Sequence, residues 1–93
     1  MNNSELESLR EEIDQIDSEI VKLLNLRVSK ACKIGKIKKL SGVDPYDPAR
    51  EEQVFEKLAG YSEGPLREGS LRTVYREIIS ASIALEKDMV IGY

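Results

Sequence analysis

The 93-residue chain carries 14 Lys and Arg against 17 Asp and Glu, a formal net charge of −3. This near balance does not indicate a nucleic-acid or membrane partner, so any anion binding must be local. Histidine is absent and Cys32 is the only cysteine. These counts exclude an intrachain disulfide, the usual zinc ligand sets and every Ser-His or Cys-His nucleophile, and they predict metal-free, non-covalent chemistry.

The length suits one small domain with a single core. Charged residues make up 33% of the chain and aromatic residues 5%, which indicates helices with solvated faces and an all-α fold. There is no apolar run of about 18 residues. The polar start also lacks the basic and apolar regions of a secretion signal, so we expect a cytoplasmic protein.

The first predicted helix runs from about Glu5 to Leu40 and ends at Ser41-Gly42. Its apolar residues alternate by three and four positions and form a stripe that we call the apolar seam: Leu6, Leu9, Ile13, Ile16, Ile20 and Leu23. The same spacing then continues through Arg27, Lys30 or Ala31, Ile34 and Ile37. Gly35 costs about 1 kcal/mol relative to Ala inside a helix, and we expect it to permit the close approach of a neighbouring helix.

Two shorter helices are predicted to follow. Asp47 caps the second, with Pro48 at its first position, and this helix runs to about Ala59. Ser70 caps the third, which runs to about Lys87. The positions predicted to be buried are Val54, Phe55, Leu58 and Tyr61 in the second helix, and Leu71, Val74, Tyr75, Ile78, Ser82, Leu85 and Met89 in the third.

The predicted length of the first helix implies a partner. A helix of about 36 residues spans ~54 Å, whereas a compact chain of this size has a radius of gyration of about 12 Å. The apolar seam would then be too large a patch for a monomer, so we expect a twofold dimer in which a second helix covers it.

Two cations lie in line with the apolar seam. Arg27 and Lys38 are eleven residues apart, three helical turns, so they share a face about 16 Å apart and can hold a small anion between them. The alternative is that both side chains cover apolar surface and extend their charged ends to water. Arg10 is too distant on the same helix, but in an antiparallel dimer the partner's Arg10 can enter the site; alone, it would pair with Asp14.

Further polar candidates come from the other helices. Ser82 and Glu86 lie one turn apart on or beside the third stripe, where a carboxyl group is costly to ionise without a partner; the alternative is a solvent-facing glutamate. Asp47, Arg50 and Glu51 cluster at the start of the second helix, where capping and surface pairing also explain them.

Four segments in register resemble the all-helical chorismate mutases: LREEIDQIDSEIVKLLNLR, KIGKIK, DPAREEQV and IISASIALE. The resemblance spans nearly the whole chain. It implies an intertwined homodimer of three-helix subunits with two equivalent pockets, each of which converts chorismate to prephenate. That rearrangement is pericyclic and requires no metal or cofactor.

The resemblance also implies roles for the cations. Arg10 matches an arginine donated by the opposite subunit, and Arg27 matches one that holds a substrate carboxylate. Lys38 matches a lysine that reaches the ether oxygen and a carboxylate.

The remaining positions match as well, with one departure. Asp47, Arg50 and Glu51 match a cluster in which the glutamate receives the substrate hydroxyl, and Ser82 matches a carboxylate-binding serine. Glu86 stands where many members have glutamine as a second donor to the ether oxygen. An ionised Glu86 would repel that oxygen. We expect burial and the bound dianion to raise the pKa of Glu86, so that the residue works protonated and activity falls as pH rises.

The segment DMVIGY at the C-terminus breaks the helical spacing. We expect the mutase domain to span residues 1–88, with residues 89–93 either a short disordered tail or the start of a fused prephenate dehydratase domain. Two other functions remain open from the sequence: an isochorismate-pyruvate lyase, and a non-catalytic helical dimer that senses aromatic-pathway metabolites.

Overall fold

A computed structural model describes residues 3–44 and 47–90, with side chains as far as residue 86. Three α-helices follow one another in the described part: α1 (Asn3–Leu40), α2 (Pro48–Tyr61) and α3 (Glu68–Val90). No strand occurs within these ranges. The predicted all-α class with a very long first helix is therefore confirmed.

The end of α1 follows from its sequence. Gly42 has φ 72°, the left-handed conformation that glycine adopts without strain. This conformation lets the Gly42 N–H donate to the Lys39 carbonyl (3.1 Å) and the Val43 N–H to the Lys38 carbonyl (2.8 Å). These two carbonyls near the end of the helix are thus satisfied, and the predicted stop at Ser41-Gly42 is confirmed.

The chain divides into two compact units, Met1–Lys30 and Ala31–Tyr93. In the first unit the apolar seam is exposed in the single chain: Leu9, Ile13, Ile16, Ile20 and Leu23 retain between 47 and 62% of their accessible surface. Scattered apolar side chains are normal on a surface, but a continuous row along one helix typically marks an interaction surface.

In the second unit α2 packs against α3. Phe55 and Leu58 of α2 are buried, as is Cys32 of α1. The Arg72 guanidinium of α3 lies 4.6 Å from the centre of the Phe55 ring, and its Nη2 lies 3.6 Å from Glu52 Oε1. This cation–π contact joins the two helices beside their apolar core.

The second helix extends beyond its predicted end at Ala59, because the Ser62 N–H donates to the Leu58 carbonyl and closes one more turn. Tyr61 was predicted to be buried, and this is wrong: it is 71% exposed. The i, i+4 line from Val54 through Leu58 leads to the half-buried Ser62 and passes Tyr61 by.

The third helix begins at Glu68, so the prediction that Ser70 caps it is wrong. The Leu71 N–H donates to the Arg67 carbonyl, which places the first turn three residues earlier. The helix continues to Val90 and does not break after residue 88. Met89 was predicted in the buried stripe, but its side chain lies outside the described part, as do residues 91–93.

The predicted buried stripe of α3 is only partly buried. Ser82 is 3% exposed, whereas Val74 and Leu85 retain 51% and 43% of their surface, so their predicted burial is wrong for the single chain. Across residues 3–44 and 47–90, none of the helices has the length and apolar character that crossing a bilayer demands.

Candidate active site

Lys38 forms an ion pair with Asp47 where α1 ends and α2 begins. The Lys38 Nζ lies 3.6 Å from Asp47 Oδ2, and the Lys38 side chain keeps 24% of its surface. The other Asp47 oxygen, Oδ1, accepts a hydrogen bond from the Arg50 N–H (3.1 Å). The predicted N-cap is confirmed, and this one carboxylate both starts α2 and orients the ammonium group.

Glu86 of α3 lies close enough to the same ammonium group to feel its charge. Burial raises the pKa of the Glu86 carboxyl group, and the positive charge of Lys38 acts in the opposite direction to lower it. The burial effect is the larger, so the net shift favours the neutral acid. A protonated carboxyl group can donate a hydrogen bond, which an ionised one cannot.

Gly35 of α1 is buried beneath Glu86. A β-carbon built at this glycine would lie 3.4 Å from Cγ, Cδ and Oε2 of Glu86. The predicted close approach of a neighbouring helix to Gly35 is therefore confirmed, and it is made by one side chain of α3.

Ser82 lies one turn before Glu86 on α3. Its Oγ donates to the Ile78 carbonyl of the same helix (2.9 Å). The hydroxyl keeps its acceptor capacity in this rotamer, and it must rotate about χ1 before it can donate to a ligand.

A cavity of about 580 Å³ lies between the start of α2 and the middle of α3. Glu51 contributes from α2, and Ile79, Ile83 and Arg76 contribute from α3. These α3 residues were not predicted as site residues. Ile79 and Ile83 are spaced i, i+4, so the sequence pattern could have placed them on one face of α3. The predicted buried stripe instead ran through Ile78 and Ser82, on the neighbouring face.

The side chain of Arg50 lies on the surface of the single chain. It is exposed, and its Nη1 donates to Gln53 Oε1 at 3.5 Å. Within the described stretches, no group of three or more Cys, Asp or Glu side chains is arranged to hold a metal ion.

Arg10 and Arg27 belong to the first unit. Arg10 pairs with Glu7, with 3.5 Å between Nη1 and Oε1, and remains 64% exposed. The expected pairing with Asp14 is therefore wrong: side chains tilt toward the helix N-terminus and Arg10 reaches the preceding turn. Such exposed pairs contribute little to stability, so Arg10 can leave Glu7 and bind another negatively charged group at little cost. Arg27 is half-buried.

Comparison with known proteins identifies the family. Residues 9–87 match the family described as chorismate mutase type II. The chain is 42% identical over 93 residues to a bifunctional chorismate mutase/prephenate dehydratase of Aquifex aeolicus, covering 96% of this chain and 26% of that protein. A protein of the same name from Neisseria gonorrhoeae is 38% identical over 84 residues, covering 90% and 23%. The chain thus spans about a quarter of the length of these relatives.

Solved structures of chorismate mutases also resemble this chain. A chorismate mutase from Helicobacter pylori, in complex with prephenate, superimposes with a TM-score of 0.89 at 31% identity over 98% of this chain and 99% of that chain. A chorismate mutase from Thermus thermophilus gives 0.86 at 34% identity over 89% and 94%. Neither the lyase nor the metabolite sensor gains support from these proteins. The match over residues 9–87, on a chain of three helices with one very long first helix, shows that the chain belongs to the chorismate mutase type II family.

Proposed function

We propose that this chain converts chorismate to prephenate. The observation that carries the proposal is the placement of Lys38, a half-buried side chain whose ammonium group is paired with Asp47 and is close enough to Glu86 to influence its pKa. Family membership and the fold shared with the prephenate-bound H. pylori enzyme support it.

The rearrangement of chorismate can be accelerated by charged side chains alone. In the rearrangement one carbon–oxygen bond of the ether breaks as a carbon–carbon bond forms, with no proton gained or lost, and negative charge grows on the ether oxygen. A cation that is already oriented stabilises that charge without reorganising, and one such donor is typically worth about 2.7–4 kcal/mol. Lys38 fills this role, with Asp47 fixing its direction.

Glu86 supplies the second donor to the ether oxygen in its protonated form. Burial already raises the pKa of its carboxyl group in the free protein. A bound dianion raises that pKa further, because a like charge nearby disfavours ionisation. The neutral acid then donates where glutamine donates in many family members.

The remaining site residues hold the substrate. Arg27 and the partner's Arg10 bind the two carboxylates of chorismate, as bidentate guanidinium groups do well. Ser82 binds one carboxylate after its hydroxyl rotates. Asp47 and Arg50 order the start of α2, and Glu51 accepts the hydrogen bond of the substrate hydroxyl.

This use of Arg10 requires a homodimer. The exposed apolar seam supports one, because a second copy of the same helix would cover a continuous row of apolar side chains. We expect light scattering on purified protein to give twice the chain mass of 10.5 kDa. A mass equal to that of one chain at assay concentrations would contradict the dimer.

We also propose that the chain is, or derives from, the mutase part of a bifunctional protein. The support is that its matches in A. aeolicus and N. gonorrhoeae are named bifunctional chorismate mutase/prephenate dehydratase and are about four times longer. A reading frame in the source genome that stops after Tyr93 would contradict a fusion.

The proposed activity is tested by supplying chorismate and isochorismate in separate reactions. We expect chorismate to disappear with stoichiometric formation of prephenate, at a rate well above that of the buffer alone. Pyruvate released from isochorismate, without prephenate from chorismate, would instead identify a lyase. Binding of chorismate without conversion would identify a sensor.

A further inference from the structure

The backbone conformation at position 35 does not require a glycine. Gly35 lies inside α1, and among the described residues only Gly42 is a glycine with positive φ. Any residue can adopt the backbone of position 35, and most would form a helix better than glycine does. The absence of a side chain at this position must therefore be explained by what lies next to it.

The neighbour is the end of the Glu86 side chain. Three of its atoms, Cγ, Cδ and Oε2, would all lie 3.4 Å from a β-carbon at position 35. By contrast, a β-carbon at Gly60 or Gly69, which also lie in helices, has nothing within 4 Å. Gly35 thus differs from these glycines in that a functional side chain occupies the space above it.

We propose that Gly35 is a positioning residue: its missing side chain lets the Glu86 carboxyl group lie against α1, on the face that presents Lys38 one turn later. Residues three apart on a helix are neighbours on its surface. The glycine therefore sets how closely the acid and the ammonium group approach the same ligand atom. This inference rests on the proposed function, since it concerns the two donors to the ether oxygen.

The size of the substituent should determine the effect. A methyl group at position 35 would lie 3.4 Å from three atoms of Glu86, the short limit of van der Waals contact, so a small shift of the carboxyl group accommodates it. The branched side chain of valine requires space that the carboxyl group occupies, so Glu86 must move. A misplacement of about 1 Å in a catalytic arrangement can cost about 10²-fold in rate.

We therefore expect Gly35→Val to lower kcat for chorismate by about 10²-fold, and Gly35→Ala to give a smaller loss of the same kind. The matched control is Gly60→Val, which makes the same change in a helix where nothing lies within 4 Å; its kcat should stay within about twofold of wild type. Thermal unfolding checks that each variant is folded.

A double-mutant cycle separates positioning from simple damage to the fold. In a Glu86→Ala background there is no carboxyl group to displace, so Gly35→Val and Gly35→Ala should cost little further rate. An equal loss in both backgrounds would overturn the proposal, as would full activity of Gly35→Val. If Gly35→Val does not fold, the Gly35→Ala pair decides in the same way.

A second readout does not depend on turnover. Carboxyl-carbon NMR can follow the titration of Glu86, which faces Lys38 of α1, itself paired with Asp47. In Gly35→Val the displaced carboxyl group should be better hydrated, so its pKa should fall toward the ordinary value of glutamate. An unchanged pKa would overturn the positioning role even if the chain has no mutase activity, whereas a shifted pKa in an inactive chain would overturn only the proposed function.

Discussion

Replacing Lys38 with methionine is expected to lower kcat for chorismate by about 10²–10³-fold, the usual effect of removing one oriented donor to a developing oxyanion. Methionine keeps an unbranched apolar stem in the place of the buried part of Lys38 and removes only the charge. The loss should therefore report electrostatics, and it should appear in kcat more than in KM because the charge on the ether oxygen grows in the transition state.

Lys36→Met is the matched control, since Lys36 is exposed two residues earlier on the same helix. It should retain wild-type kcat within about twofold. In Lys38→Met the pKa of Glu86 should also rise, because Lys38 lowers it in the wild-type chain. Steady-state kinetics of the two variants side by side would refute the role of Lys38 if both lost activity equally or neither lost any.

Glu86→Gln is expected to change the pH dependence of the reaction. In the wild-type chain the rate should fall as pH rises through the raised pKa of Glu86, because in the proposed mechanism the protonated acid is the active form and ionisation would place a negative charge beside the ether oxygen. Glutamine donates a hydrogen bond at every pH. The variant should therefore lose this alkaline decline and exceed wild type at high pH.

The same shift has a consequence for stability. A carboxyl group whose pKa is raised on folding binds more protons in the folded than in the unfolded chain between the two pKa values, so wild-type stability should decrease as pH rises through that window. Glu86→Gln should show less of this decrease in thermal unfolding.

Rate profiles from mildly acidic to mildly alkaline pH test the proposed role of Glu86 in the reaction. An alkaline decline that persists unchanged in Glu86→Gln would show that another group titrates.

The helices of this protein were predictable because local signals specify them. The 3–4 spacing along α1, the Asp47-Pro48 start of α2 and the glycine that ends α1 at Gly42 each act through the backbone or through one helical face. The structure confirms all three. The same reasoning placed the cap of α3 at Ser70, three residues late, because a suitable cap residue also occurs within the first turn.

What the sequence did not predict depends on contacts between elements. Periodicity indicated an apolar face of α3 but not its width, so the cavity wall at Ile79 and Ile83 was missed and Leu85 was wrongly placed in the core. The proximity of Glu86 to Gly35 joins residues 51 positions apart, and no local pattern encodes such a contact. The position of Glu86 on or beside the stripe of α3 already indicated that its carboxyl group is costly to ionise, and the family resemblance added the expectation that the residue works protonated.

The central claim is that cations from two subunits hold one dianionic substrate, and a mixing experiment tests it most directly. Arg10→Ala and Lys38→Met are each expected to be nearly inactive alone, because every site in either homodimer lacks one cation. When the two are unfolded and refolded together in equal amounts, half of the dimers should be mixed. In each mixed dimer one site has both defects and the other has neither, so activity should return to about one quarter of wild type. Failure of the mixture to exceed its separate components, with mixed dimers demonstrated by mass, would contradict a site shared between subunits.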